Sequence, residues 1–492
     1  MTGGRVLDGE STRPGVTIKA QPVGSESIPV PEGASAALAK DRASTQGTTA
    51  STGPTSASAL AESWASSDGA ASAVVRWYVL IMMCLVYTLS IADRYVVSTV
   101  LEPIRLELHL SDSGIAFLTG VSLALFYVLF GFPISWLTDR KSRRNIIAVS
   151  LLAWSVMTTL CGLARNYWQL LGARIGVGVG EAGGTPAANS IISDYFPATR
   201  RPMALTIFSL GAPIGAWVGY NIAGAIADLY GWRAVFLALG APGIIAGIVV
   251  FLTVREPKRG CLDAENPETA PSFLTTMKFL WQQRSAVHVM AGSALCALWG
   301  WGLTYWTPMF LMRTYGLSAG EAGAITGNAH LVGGTAATLF TGWLMGQPYM
   351  ADSRRIVRLL GIGIGLATIA SWVIFWTHSL PLAKAMFWIF VPAIYFYIGP
   401  CFGLLNNLAQ CRMRALFCAM TLFVANVGNL VIAPQAVGML SDWFAPSSGP
   451  NAESLRLALL CLVPTGLWAT VHYFLATRDL MSDQARAIGT AV

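Results

Sequence analysis

The sequence predicts an all-α membrane protein of twelve transmembrane helices in two six-helix bundles. Three observations lead there. Of 492 residues, 54% are hydrophobic and only 12% charged, where a soluble domain carries about 25% charged residues. Apolar runs of roughly 20 residues, enough to cross a ~30 Å hydrocarbon core, recur from Trp77 to the end of the chain. The polar connections of the first half are echoed in the second.

Spans are expected at 77–102, 113–138, 145–164, 167–192, 203–227 and 234–254, then at 285–312, 322–346, 359–377, 385–410, 415–441 and 455–476. They must be helices, because a backbone in lipid has to satisfy its hydrogen bonds within the segment. This places one bundle at 76–254 and the other at 285–477, joined by a cytoplasmic linker, 255–284. Within and beyond the linker, Ser272–Met290 is expected to begin as an interfacial helix with Phe273, Met277, Phe279, Leu280 and Trp281 against lipid. Residues 1–75 are rich in Ser, Ala, Thr, Gly and Pro and lack apolar clusters. They predict a disordered cytoplasmic tail, and no apolar stretch near the start suggests a signal peptide. Residues 478–492 form a short second tail.

The repeat is legible in the loops. Ser135–Arg144 (SWLTDRKSRR) is echoed by Gly342–Arg355 (GWLMGQPYMADSRR), and Phe196–Phe208 by Gln410–Met420. Repeated halves with a site between them are a transporter signature.

Net charge is +7, but its placement speaks for topology and against a nucleic-acid partner. Loops on the side of the termini hold 18 Lys or Arg; opposite loops hold six, Arg105, Arg165, Arg233, Arg313, Lys384 and Arg456. That bias predicts both termini in the cytoplasm and a plasma (inner) membrane location. The eight cysteines form no CxxC pair and are read as small packing residues, so no metal and no cofactor is expected. An enzyme is disfavoured: no HxxxH or clustered nucleophile and base occurs. An ATP-driven pump is disfavoured by the lack of a G-x4-G-K-[ST] loop. Gly178–Gly183 matches G-x-G-x-x-G, but it lies inside an apolar span, where small residues serve helix packing.

Four ionisable residues fall inside apolar spans: Asp93, Arg94, Arg174 and Glu181. Each costs roughly 3 kcal/mol or more at bilayer depth, so such groups pair and mark a solvated path. Arg174 and Glu181 are seven residues apart, ~20° off one helix face. At 1.5 Å per residue, Arg174 lies about 10 Å and Glu181 about 21 Å below one end of their span, and Asp93 about 24 Å above the opposite end of its own. An Asp93–Arg174 pair is therefore feasible, with Glu181 nearer the middle. Arg94 must diverge from Asp93 by 100°. Burial disfavours a charged carboxylate and a nearby guanidinium favours it. Asp93 and Glu181 are thus expected to take up and release protons as Arg94 and Arg174 move, with a static ion network as the rival reading.

Other polar residues in the spans are cavity candidates: Tyr220, Asn221, Tyr305, Trp306, Asn406 and Asn426. Thr304, Thr307, Asn328, His330, Asn407, Asn429, Tyr395 and Tyr397 are further polar positions in the spans that could line a cavity. Pro308 predicts an irregularity after Tyr305–Trp306. Helix–helix hydrogen bonding competes with a cavity role at each position.

The loop Ser135–Arg144 resembles the G-x-L-x-D-R-x-G-R-R signature of the major facilitator superfamily, with Leu137, Asp139, Arg140, Arg143 and Arg144 in place and Ser135 and Ser142 replacing glycines. The resemblance covers about residues 75–480 and implies the major facilitator fold and a cytoplasmic gate at Asp139, Arg140, Arg143 and Arg144. Gly346 stands where the second copy would repeat Asp139, so a weaker lock is expected there. Asp93-Arg94-Tyr95, Arg174–Ala188 and GPCFGLLNNLAQ followed by RMRA resemble the Spinster group, with Ser90 replacing an Asn. That similarity implies switching roles for the four buried charges.

The expected function is alternating-access transport by a monomer, the expected partners being protons, membrane lipid and a small-molecule or lipid-like anionic substrate. Two cargo classes stay open: a lysophospholipid or sphingoid-type phosphate, and an organic or aromatic carboxylate. A proton-independent facilitator and a non-transporting membrane sensor are the alternatives.

Overall fold

Every regular element among the described residues is a helix. The structure is a computed structural model describing residues 72–138, 140–197, 200–257, 272–410 and 413–488. Most of the expected N-terminal tail, most of the linker, the last residues of the C-terminal tail, and Asp139 of the expected gate lie outside the described residues.

Ser72 opens the first helix, Ala73–Glu107, by accepting a hydrogen bond from the Val75 N–H. This helix has 35 residues, about 52 Å at 1.5 Å per residue. It runs beyond the expected 77–102 because Leu101 and Ile104 are buried and Glu102 and Arg105 find ion-pair partners. The chain then shuttles between two ends. The near end carries both described termini; the far end carries the turns at 108–111, 164–166, 316–318 and 445–451.

Eight stretches among the described residues are long and apolar enough to cross a membrane, fewer than the twelve spans expected. Met203–Thr253 counts as one stretch, although Gly231 at φ 79° breaks it into two helices. The segments 112–138, 167–195 and 319–345 are divided into shorter pieces. Two of these divisions are π-helical turns, at Phe117–Val121 and Ala329–Gly334. Two more π-helical turns occur at Val218–Ile222 and Val427–Ile432. A π-helical turn widens the helix and strands carbonyls, and hydroxyls satisfy some of them here. Thr99 Oγ1 donates to Gly219 O at 2.8 Å, and Ser122 Oγ to Leu118 O at 2.7 Å.

These four turns line the two seams between the halves. Phe117–Val121 faces Val427–Ile432, and Val218–Ile222 meets Ala319–Asn328. Gly219 seats the second of these seams against the first helix: a Cβ there would stand 2.6 Å from Ala92 O. That close approach sets the depth and rotation of the helix bearing Asp93 and Arg94.

Ser272 caps the helix Phe273–Gln282. Phe273, Leu274 and Trp281 are exposed as an interfacial face requires, but Leu280, expected against lipid, is buried, and Phe279 meets Phe417 at 6.3 Å between ring centroids. The helix therefore leans one edge on the second half. The described cysteines form no disulfide.

Gly219→Val is expected to force the seam off the first helix, costing about 1–3 kcal/mol by overpacking. A lowered melting temperature of the purified protein in detergent would report it; an unchanged one would mean that the approach is not needed.

Candidate functional site

Neighbouring residues leave a helix about 100° apart, and Asp93 and Arg94 use that divergence. Asp93 is buried and turns toward the helices Arg143–Leu163 and Tyr167–Glu181. Its Oδ1 accepts from Thr158 Oγ1 at 2.6 Å and its Oδ2 from Arg174 Nη1 at 3.3 Å. Arg94 donates from Nε to Glu181 Oε2 at 2.9 Å. Glu181 ends its helix at the point where Gly180 meets the preceding one, Arg143–Leu163, a Cβ there falling 2.7 Å from Trp154 N. So the glycines of the G-x-G-x-x-G match pack helices, and they carry Glu181 deep inside. Two buried atoms of this cluster have no hydrogen-bond partner: Arg174 Nε and Glu181 Oε1.

The cluster backs a cavity of about 600 Å³, within the range of small-molecule sites. The first half contributes Tyr87, Ile91, Arg94, Tyr95 and Arg174 to its wall; the second contributes Trp301, Tyr305, Tyr395, Asn426 and Asn429. Both arginines reach the wall, whereas no Asp or Glu among the described residues does. The cavity thus presents cations and aromatic rings, with the neutralising carboxylates behind them. Tyr305 OH donates to Thr119 of the first half, and Ser98 Oγ to Tyr305 O.

Of the cavity candidates, Tyr305 and Asn426 line it. Tyr220 is buried behind Tyr95, ring centroids 4.8 Å apart, and donates to Thr304 O at 3.2 Å. Asn221 bonds Asn328 Oδ1 across a seam at 3.0 Å, beside Trp217 Nε1 at 3.1 Å. Trp306 is buried in the second half, and Asn406 Oδ1 accepts from Cys418 near that half's near end.

Beside the cavity, five rings meet across the seam between the halves. Tyr95 and Tyr220 come from the first half, and Trp301, His330 and Tyr395 from the second. Beyond them the halves are clasped by ions. Arg313 donates to Glu102 Oε2 at 2.7 Å and to both carboxylate oxygens of Asp112, at 2.7 and 2.8 Å. Arg105 adds bonds to Glu102 at 2.8 and 3.0 Å. Asp442 accepts from the N–H groups of Asp112 and Ser113 at 2.9 Å each, and Asp228 from Ser318 Oγ and Gly320 N–H. The sequence reading missed this clasp. Its one available signal was Glu102 and Asp112 lying close to the basic residues counted at that end.

At the near end, Arg143 is buried and binds Asp194 and Glu256. Asp194 belongs to the first half, and Glu256 to the start of the linker directly after its last helix. Arg144 lies over the Phe251 ring, and Arg140 is exposed on a turn. Glu256 also accepts from Ser142 Oγ and the Arg144 N–H, each at 2.8 Å. Burial works against its charge, but the Arg144 N–H, the Arg143 guanidinium and the Ser142 hydroxyl outweigh it and hold the carboxyl below its ordinary value.

Residues 83–432 match the Major Facilitator Superfamily. The chain is 30% identical over 417 residues to an "MFS-type efflux pump" of Mycolicibacterium smegmatis, covering 83% of this chain and 95% of that one. It is 31% identical over 233 residues to the "Sphingosine-1-phosphate transporter SPNS2" of Danio rerio, about half the length of each (46% and 45%). Among solved structures it resembles a bacterial homolog of the human lysosomal transporter Spinster, in an inward-facing and unoccupied conformation. That similarity has a TM-score of 0.74 at 30% identity and covers 84% of this chain and 99% of that one.

Removing Arg313 would leave Glu102 and Asp112 facing each other with Arg105 alone. Losing one partner of a buried pair costs about 3–5 kcal/mol, so Arg313→Ala should open the far end. Spin labels at Leu106 and Ser447, both exposed there, should move apart in the variant; an unchanged distance would show the clasp to be incidental. At the near end, a carboxyl held low stabilises the fold above its unfolded value, about 4.3, and loses that effect as pH falls through its folded value. Glu256→Gln should therefore lower the melting temperature at pH 7, with the difference shrinking toward zero below about pH 4. A pH-independent difference would refute the ionic role.

Proposed function

The chain belongs to the major facilitator superfamily, and from that premise we propose that it carries an amphipathic organic anion by proton-coupled alternating access. It is a multi-pass membrane transporter related to the Spinster group. The observation that carries the finer reading is the wall of the cavity, where Arg94 and Arg174 stand in front of Glu181 and Asp93.

An anionic head group entering the cavity meets Arg94, whose side chain is 22% exposed. If Arg94 turns to the head group, Glu181 is left buried without its partner, and the low-cost outcome is for it to take a proton. Conversely, a proton on Glu181 frees Arg94 for the anion. Proton and substrate therefore favour each other's binding by the same factor. Arg174, more deeply buried, repeats the arrangement with Asp93, while Thr158 keeps a hydrogen bond to Asp93 in either state. Ile91, Leu205, Met345, Ile398 and Leu430 supply an apolar flank of the cavity, suited to an alkyl chain. This favours a single-chain amphiphile with a phosphate or carboxylate head over a small aromatic acid. We place both termini in the cytoplasm from the distribution of Lys and Arg, with the near end inward, a plasma-membrane location, and a monomer as the working unit. Arg140, Arg143 and Arg144, with Asp139, are the proposed near-end gate.

The test uses proteoliposomes with an imposed pH gradient and labelled lysophosphatidic acid. Glu181→Gln and Asp93→Asn should each lower pH-driven uptake by about tenfold or more, the scale of losing one charged partner. Counterflow at equal pH should survive in Glu181→Gln. Unchanged pH-driven uptake in both variants would refute the coupling; binding without counterflow in the parent would make the protein a sensor.

A further inference from the structure

His330 is the one imidazole among the five rings at the seam, and the ion pairs make no use of it. It lies on the π-helical turn Ala329–Gly334 and has no solvent exposure. Nδ1 is 2.8 Å from Tyr395 OH, and Nε2 has no hydrogen-bond partner. Its ring lies 5.3 Å from Tyr220, 5.8 Å from Tyr95 and 6.1 Å from Trp301, centroid to centroid. The imidazole therefore sits where the two halves meet, with tyrosine rings of the first half against it.

We propose that His330 is a proton-sensitive positioning residue of the far-end gate: the five rings close only round a neutral imidazole. The proposal rests on alternating access, though not on proton uptake by Asp93 or Glu181. The groups that face the ring decide its tolerance for charge. Tyr395 comes from the helix Leu380–Phe396, Tyr220 from the turn Val218–Ile222, Tyr95 from the first helix and Trp301 from Arg284–Tyr315. No carboxylate hydrogen-bonds to the ring among the described residues, and the nearest charge along the first helix is Arg94, which turns to Glu181. A protonated imidazole has two N–H donors. In the closed cluster one faces a tyrosine hydroxyl and the other has no acceptor. Contact with the tyrosine faces restores part of the lost hydration, but it supplies no hydrogen-bond acceptor.

Once the halves part at this end, Tyr95 and Tyr220 leave with the first half and water reaches Nε2. There the imidazole titrates near its ordinary value of about 6.5. The sign follows. Above that value the ring is neutral in both states and closure is unhindered. Below it the open state gains a proton that closure must expel, so acid on the far side holds the far end open. Closure thus releases a proton from the second half, independently of the carboxylates in the first.

The experiment measures the Leu106–Ser447 spin-label distance in the full chain, with the native cysteines replaced, in nanodiscs from pH 8 to pH 5. The parent should shift from a short toward a long distance as pH falls below about 6.5. His330→Gln, which keeps a polar side chain without a titrating ring, should show a shift at least fivefold smaller. Glu181→Gln should keep the parent's response while losing pH-driven uptake. A parent whose distance does not change over this range would overturn the proposal with no variant needed. So would a His330→Gln protein that shifts like the parent. Arg313→Ala separates the two failures: if it opens at pH 8 while the parent ignores pH, only the His330 proposal falls. If the Arg313→Ala distance stays short as well, the far-end gate falls with it.

Discussion

Two guanidinium–carboxylate pairs, Arg94–Glu181 and Arg174–Asp93, are the constraint from which the rest of the interior follows. Four isolated charges at this depth would not be tolerated, and two neutral pairs are. The pairing is incomplete, since Arg174 Nε and Glu181 Oε1 lack partners. A fully satisfied network would resist exchange of partners. An unsatisfied one already contains the donor and acceptor that an incoming anion or proton can engage. Removing a partner is costly, but exchanging one is cheap, and that asymmetry lets a buried ion pair work as a switch.

The second constraint is where the halves are held together. The far-end clasp joins them through Arg313, Glu102 and Asp112, with side-chain exposures of 6%, 11% and 0%. At such burial these pairs escape the screening that makes surface salt bridges nearly worthless. At the near end, Arg143 spends its bonds on Asp194 of the first half and on Glu256, where the linker leaves that half. It stiffens one bundle there and leaves the other uninvolved. The difference between an inter-half clasp and an intra-half brace gives the molecule a closed end and places the cavity toward the other.

Helical rise and phase alone bring Asp93 to Arg174 and turn Arg94 elsewhere, because charges in apolar spans have few places to go. The same arithmetic could not rank the aromatic candidates. Tyr305 lines the cavity while Trp306, one residue on, is buried in the second half. Hydrophobicity is equal on both faces of such a helix, so no pattern marks the wet one. Trp301, four residues before Tyr305, shares its face and was passed over for the same reason. The clasp was illegible for the opposite cause. Glu102, Arg105, Asp112 and Arg313 lie at helix ends, where charge is unremarkable, and only their convergence from distant parts of the chain gives them meaning. The π-helical turns have no dependable sequence signal; they arise from how the seams pack.

The repeat in the loops suggests halves of equal standing, and the backbone agrees in one respect: each half carries two π-helical turns on its seam helices. The side chains do not follow that symmetry. The first half supplies all four buried charges of the cavity cluster, and the second supplies Trp301, Tyr305, Tyr395, Asn426 and Asn429 to the wall. Charge gathered in one half can be neutralised there, pair by pair, whichever end is open. Rings and amides in the other half need no counter-ion, so they can part from the first half without leaving a bare charge in hydrocarbon. Around the cavity, this division of side chains keeps the electrostatic cost of parting the halves low, and the cost that remains is set by the far-end clasp.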